Sequence, residues 1–350
     1  MKIINSEVGI FSDPHYGLHR NSPVWHKIAL NHARWAAKEF KSRSIKDIII
    51  PGDIFDDRND VAVNTLQVAA DIFDILSDFN IIITVGNHDA YYKDKSDVSS
   101  VSILKGRSNI TVIDKLCVYC YNKIKISFCP WGQIIDEIPV CDLIVGHFEI
   151  NSFKMNPGRV CTDGHQSEEF NNKAKLTISG HFHLRDERKY KKGTILYVGS
   201  PYQHNWSDCD SVKGLYVLDL DQLKYEFIEN SMSPKHIKIF FSSIQAGSYS
   251  APELKAIVPG NIIKFIVDKP AEQETIDIIT KKLSILKPLE FIVEYSYEDL
   301  IKVDTDKANE TNFNISIEAS IQEFVDLVEI KNKKNVKDYV VELYRKAQST

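Results

Sequence analysis

Apolar and polar positions follow two different periods in the first third of the chain. Short apolar runs at Val8 to Ser12, Asp47 to Ile50 and Ile81 to Val85 are bounded by polar or turn-forming residues, as buried strands are. Between them, Val24 to Phe40 and Val61 to Leu76 carry apolar residues at helical spacing, the second at Leu66, Ala69, Ala70, Phe73 and Leu76. This order predicts a βαβαβ unit, in which crossovers join parallel strands and the helices cover the sheet faces. From Ile110 the runs shorten: Thr111 to Ile113, Leu116 to Tyr121, Ile124 to Cys129, Leu143 to Val145, Leu176 to Ile178, Ile195 to Val198, Leu215 to Leu218 and Tyr225 to Ile228. Turn chemistry at Tyr121-Asn122 and Lys192-Gly193 separates several of them. The expected fold is α/β, with a two-layered sheet core sandwiched by helices.

The pattern changes near residue 232. Ile237 to Phe241, Asn261 to Val267, a helical stretch Glu272 to Leu286 and Glu290 to Tyr295 read as a small α+β unit. Asp299 to Asn312 is polar and charged and reads as a linker. Apolar residues then recur at helical spacing at Ile321, Phe324, Val325 and Val328, and again at Val336, Tyr339, Val340, Leu343 and Tyr344. The expected organisation is a main domain at 1–231, a small domain at 232–298, a linker at 299–312 and amphipathic helices at 313–350. Behind a linker such helices have little core of their own, which favours docking on a partner.

Composition adds limits. A chain of 350 residues exceeds what one core usually supports, so appendages are expected. No apolar run is long enough to span a bilayer and the N-terminus lacks a secretory apolar segment, so the expected location is the cytoplasm. The six cysteines are irregularly spaced, and Cys117-Val118-Tyr119-Cys120 has no second pair to complete a zinc site; reduced thiols are expected. A net charge of -5 argues against a strongly basic, free-standing nucleic-acid binder, but not against a nuclease with a local basic surface or a partner.

The chemistry lies at the ends of the strand-like runs. Asp13, Asp53, Asn87, His147 and His181 each follow one, and in a largely parallel sheet such positions converge at the carboxyl ends of strands. Asp13-x-His15 and His181-x-His183 skip one residue, which in an extended backbone turns both side chains to the same side. Carboxylate, amide oxygen and imidazole without thiolate suit manganese, iron or zinc better than calcium or magnesium. Asp53, with two oxygens, is the natural bridge between two ions, and such a pair serves displacement at phosphorus. His88, beside Asn87, is placed to give a proton to a leaving oxygen. Gly86 is expected to permit a sharp turn. Asp89 is expected to lie behind the ligands and orient a histidine.

Asp13-x-His15, Gly52-Asp53-x-x-Asp56, Gly86-Asn87-His88-Asp89, Gly146-His147 and Gly180-His181-x-His183 resemble the five signature motifs of the calcineurin-like metallophosphoesterases. Asp13-Pro14-His15-Tyr16-Gly17 and the stretch Gly199 to Asp208 are similar to the SbcD-type nucleases of that superfamily, phage recombination nucleases among them. The resemblance covers about residues 1–230. It implies a β-sandwich flanked by helices, a capping domain, and two divalent ions, most often manganese. One ion would be held by Asp13, His15, Asp53 and His183, the other by Asp53, Asn87, His147 and His181, with His88 catalytic. Asp56 stands where several members carry a functional histidine. The resemblance also implies DNA-end processing as a homodimer, with the C-terminal helices binding an SbcC/Rad-fifty-type ATPase.

Arg185, Arg188 and Lys189, with Lys191 and Lys192, follow the last motif; they suit DNA phosphates or, equally, a solvated hairpin tip, since Asp186 and Glu187 interleave. His19, His26, His32, His165, His204 and His236 show no ligand-like pairing. Two other functions compete with a nuclease: a metallophosphoesterase acting on nucleotides or phosphoproteins, and a non-catalytic scaffold. The scaffold predicts lost ligand positions, whereas all of them are filled.

Overall fold

The computed structural model describes residues 3–296 and, beyond them, residues 334, 336, 339 and 340. The chain divides into two compact units, Met1–Tyr295 and Ser296–Thr350. The expected linker and C-terminal helices lie outside the described residues, apart from those four positions, which are helical.

The chain opens as its periodicity predicts. Strand β1 (Glu7–Ile10) is followed by helix α1 (Pro23–Ser42), β2 (Asp47–Ile50), helix α2 (Val63–Ile75), β3 (Asn80–Thr84) and β4 (Ile110–Ile113). These four strands pair parallel in that order. Ile48 and Ile50 face outward under the helices with Ile81 and Ile83, against Ala33, Phe40 and Phe73. Ile49 and Ile82 face the opposite layer. An unbroken isoleucine run is what a strand buried on both faces requires. Each such side chain contributes about 1.5–3 kcal/mol when removed from water. Small residues let α1 lie close: Ala29, Ala33, Ala36 and Ala37 are buried along it.

The second layer begins with β5 (Cys117–Tyr121), β6 (Ile124–Cys129) and β7 (Leu143–His147). A small hairpin, β8 (Lys154–Asn156) and β9 (Arg159–Val160), precedes β10 (Leu176–Gly180), β11 (Asp186–Lys189) and β12 (Thr194–Tyr197). Then β13 (Gly214–Asp219) and β14 (Lys224–Glu229) return to the first sheet. The two sheets have the strand orders β14-β13-β1-β2-β3-β4 and β11-β12-β10-β7-β6-β5. Between them Val8, Ile10 and Ile82 pack with Phe128, Val145 and Ile178.

The second sheet is parallel at the centre and antiparallel at both edges, whereas the first is parallel from β1 to β4 and antiparallel where β13 and β14 join it. Strand β11, which the apolar pattern does not reveal, is wholly charged and sits on an edge, where charge blocks further strand pairing. The basic stretch is therefore largely a strand, with the hairpin tip confined to its far end. All six cysteines are free. Among the described residues no helix is long and apolar enough to cross a membrane.

Strands β15 (His236–Phe240), β16 (Ile262–Val267) and β17 (Glu290–Tyr295) form a third, parallel sheet. Each crossover carries helix: Phe241–Gln245 and Ala251–Ile257 in the first, Gln273–Ile285 in the second.

Candidate metal centre

Asp13, Asp53 and Asn87 each lie three residues beyond a strand of the first sheet, past β1, β2 and β3. His147 ends β7, and His181 and His183 follow β10, which pairs parallel with β7 so that Gly180 lies opposite His147. Parallel pairing thus delivers all these side chains to one end of both sheets. The loops are tightly wound: Asp13, His15, Asp53 and His181 have φ of 55°, 45°, 54° and 92°. Such left-handed residues each cost of order 1 kcal/mol or more unless their surroundings hold them. Here backbone bonds do: Asp13 N donates to Gly52 O at 3.2 Å and His15 N to Asp53 O at 3.1 Å.

Gly86 is needed for a different reason from the one its motif suggests. It takes no left-handed conformation, but a Cβ there would lie 2.2 Å from Asp53 Oδ1. Glycine is what allows Asp53 to approach the Asn87 loop.

Three overlapping groups bring ligand atoms together: Asp13, His15 and His183; Asp53, His147 and His181; His15, Asp53 and His88. Asp53 Oδ2 lies 3.4 Å from His15 Nε2 and 3.3 Å from His147 Nε2, between the groups. Asn87 Oδ1 is 2.8 Å from both His147 Nε2 and His181 Nδ1. His183 Nε2 faces His15 Nε2 at 3.2 Å. Asp13 Oδ1 accepts from His181 N at 2.9 Å, while its Oδ2 is buried without a partner. A buried, unpaired carboxylate oxygen amid convergent imidazoles and an amide oxygen is the donor set of a cation site.

Electrostatics separate the imidazoles. Burial alone would lower His15 and His147, but Asp53 overrides it in both, with Asp56 assisting at His15; they rise to about 10 and about 9. Burial and the neighbouring His147 charge push His181 down to about 3, and burial with His15 holds His183 well below its ordinary value. Burial would raise Asp53, yet His147 and His15 keep it well below the usual carboxylate range. Burial raises Asp13, as it does Asp89, which reaches about 7 with the Asp53 charge adding to the effect.

The residues around the donors have distinct tasks. His88 Nδ1 contacts the Asp56 carbonyl at 2.6 Å and His88 N donates to Asp53 Oδ1 at 2.8 Å. Asp56 Oδ1 lies 3.3 Å from His15 Nδ1. Asp89 forms no hydrogen bond or ion pair with a histidine, contrary to expectation. Its carboxylate accepts from Ile54 N, Phe55 N and Gly86 N at 2.9, 3.1 and 3.0 Å, tying two motif loops together through their backbones. Trp131 walls the centre, its ring 5.2 Å from His181 and 5.8 Å from His147.

The three basic residues proposed for phosphate contact are engaged elsewhere. Arg185 lies over the Phe227 ring at 3.3 Å and donates to Tyr216 Oη. Arg188 donates to Ser152 O at 2.7 Å, and Lys189 pairs with Glu187 at 2.9 Å.

His204 shows what the sequence pattern passed over. It is 1% exposed, both ring nitrogens lack partners, and its ring lies 4.7 Å from His183. Nearby, buried Lys213 reaches the His183 carbonyl at 2.6 Å and Asp208 at 2.7 Å, clamping the loop that carries His183. The signal available was position, six residues into the stretch opened by Gly199-Ser200-Pro201.

The chain is similar to several known proteins. Exonuclease subunit 1 of Enterobacteria phage T4 is 29% identical over 243 residues, which cover 66% of this chain and 68% of that protein. Putative phosphoesterase 078R of Invertebrate iridescent virus 3 is 23% identical over 209 residues, 55% of this chain and 58% of its own length. Among solved structures, a novel archaeal phosphodiesterase is 16% identical with a TM-score of 0.37, covering 64% of this chain and 99% of its own. A dimetal phosphatase from Danio rerio is 10% identical with a TM-score of 0.40, covering 61% and 92%. The model of the family described as calcineurin-like phosphoesterase matches residues 7–185, half of the chain and all of the loops described above up to His183, and the chain belongs to that family.

Proposed function

We propose that this phosphoesterase is a metal-dependent DNA nuclease, a subunit that processes DNA ends in recombination and double-strand-break repair. The observation that carries the reading is the convergence of Asp13, His15, Asp53, Asn87, His147, His181 and His183 with His88 beside them. The phage relative's name, an exonuclease subunit, supports both the substrate class and the expectation of a partner.

Asp13, His15, Asp53 and His183 would hold one ion, and Asp53, Asn87, His147 and His181 the other; manganese fits this nitrogen and oxygen set. When bound, the ions supply Lewis acidity at the phosphodiester and acidify water. The protein supplies the remainder. Asp53, held ionised by His15 and His147 and lying between them, would serve both positions. His88, whose Nδ1 is fixed on the Asp56 carbonyl, presents Nε2 to the leaving oxygen and delivers the proton that this oxygen takes up as the P–O bond breaks. Asp56 holds His15, and Asp89 keeps the loops of Asp53 and Asn87 in register.

The segment at 313–350 docks on the coiled coil of an SbcC/Rad-fifty-type ATPase, residues 232–298 cap the DNA site, and the protein works as a cytoplasmic homodimer. The test is cleavage of labelled linear duplex and single-stranded DNA with manganese or with EDTA, with and without such an ATPase. Metal-dependent cleavage is expected. Turnover of bis(p-nitrophenyl) phosphate or a nucleotide, with DNA untouched under every condition, would instead establish the small-ester alternative. His88→Gln is expected to lose about 10²–10⁴-fold in turnover while keeping its metal. Asp53→Asn is expected to lose metal, and bound-metal analysis giving the reverse pattern refutes this division of roles.

A further inference from the structure

The loop after Asp13-Pro14-His15 takes a conformation few sequences tolerate. Gly17 turns left-handed at φ 110°, and His19, Arg20 and Asn21 follow at 53°, 59° and 61°. Consecutive left-handed residues are costly, because each Cβ crowds the following carbonyl oxygen. Two of the three side chains anchor the turn. His19 stacks on Trp25 with ring centroids 4.3 Å apart and contacts the His204 carbonyl at 2.8 Å. Asn21 Oδ1 accepts from Thr65 Oγ1 at 2.6 Å, and Asn21 N donates to Gly17 O at 2.8 Å.

Arg20 anchors nothing. Its side chain is exposed and forms no hydrogen bond, ion pair or ring contact with any described residue. It lies in a cleft of about 250 Å³ together with Asp56, Asp57 and Asp60, yet pairs with none of them. That cleft adjoins the metal centre through Asp56, whose carboxylate meets His15 and whose carbonyl meets His88.

We propose that Arg20 grips a backbone phosphate flanking the scissile one, on the His88 side of the centre; this rests on the nucleic-acid reading above. The guanidinium fork matches a phosphate in two hydrogen bonds, and the one product of this strained turn not consumed in holding it is the presentation of that fork. The neighbouring carboxylates repel a polyanion, so a phosphate settles in this cleft only against a cation. Asp57 is in addition taken up by its own loop, accepting from Asn59 N and Asp60 N. Arg185 and Arg188, the arginines nearest the last motif in sequence, are held by Phe227 and Ser152, and Lys189 shares a surface ion pair with Glu187.

The test uses the full chain and a labelled single-stranded oligonucleotide, with affinity measured by anisotropy in EDTA across a salt series. Arg20→Gln is expected to weaken binding about tenfold at low salt and to reduce the slope of log Kd against log salt by about 0.7, the share of one phosphate on a single strand. Arg20→Lys keeps the slope and recovers part of the affinity. Turnover of bis(p-nitrophenyl) phosphate, which has no flanking phosphate, stays at the wild-type rate in both. Arg20→Gly relieves the left-handed strain, so it melts higher than wild type while losing the same slope. An unchanged slope in Arg20→Gln, an equal loss on the small ester, or a lower melting temperature for Arg20→Gly overturns the assignment of Arg20 alone. A wild-type chain that turns over the small ester but does not bind the oligonucleotide overturns the nucleic-acid reading and this inference with it.

Discussion

At the scale of single residues, the centre is governed by close approach. Gly86 has space for a hydrogen and nothing larger, because Asp53 occupies the place of a side chain. Gly86→Ala is therefore expected to push Asp53 away, costing about 1–3 kcal/mol as an overpacked site and weakening metal binding with it; thermal melting and metal titration read the two effects. Asp89 is the second control point, since its carboxylate receives three backbone donors. Asp89→Asn has one acceptor oxygen in place of two, and a destabilisation of about 1–3 kcal/mol is expected, measured by denaturant unfolding. His32 is the opposite case, a buried imidazole with both nitrogens unpaired, in ring contact with Phe11, Trp35 and Tyr202. Burial lowers it to about 3 from an ordinary 6.5. The unfolded chain therefore binds the extra proton between those values, and stability falls as pH drops through that window. His32→Leu is expected to remove this part of the acid sensitivity, so that its melting temperature changes less than wild type between pH 6.5 and 4.

At the scale of elements, what was legible followed from apolar periodicity. The run Ile48 to Ile50 and the run Ile81 to Ile83 announce strands buried on both faces, and the alanines of α1 announce a helix laid flat on them. Because helical crossovers join these strands in parallel, the residues just past their ends had to meet, and Asp13, Asp53 and Asn87 do. Strand β11 was not legible, because an edge strand of Asp, Glu, Arg and Lys carries no apolar signal. The roles of His204, Asp208 and Lys213 were not legible either. They depend on β13 pairing antiparallel with β1, Ile10 opposite Tyr216, which brings the segment before β13 to the loop of His183. Lys213→Met leaves Asp208 buried without its partner, so a loss of about 3–5 kcal/mol is expected, with a smaller loss in the Asp208→Asn, Lys213→Met double variant. Chemical denaturation of the three proteins checks it.

At the scale of the whole molecule, the candidate centre straddles the two sheets: Asp13, Asp53 and Asn87 come from one, His147, His181 and His183 from the other. Without metal, His15 and His147 sit at about 10 and about 9, so both carry protons near neutrality. A ligand imidazole must be neutral, so as proposed ligands each would give up its proton when an ion binds. Metal affinity is accordingly expected to rise between pH 7 and 9, with proton release at pH 7 visible in calorimetry as a dependence of binding heat on the buffer. For the metal-free chain the sign is reversed. The raised imidazoles stabilise the fold fully below their unfolded value of 6.5, and that contribution fades as pH rises through 9 and 10.

The same straddling sets a clock on synthesis. A ribosome releases Asp13, Asp53, Asn87 and His88 long before His181 and His183, and no nascent chain that stops short of His183 contains the full donor set. A prematurely terminated product that stops ahead of β10 keeps His88, the proposed proton donor, but lacks the donors that would complete either proposed ion position. The order of residues along the chain thus leaves the proposed donor set incomplete until the layer that closes it has been made.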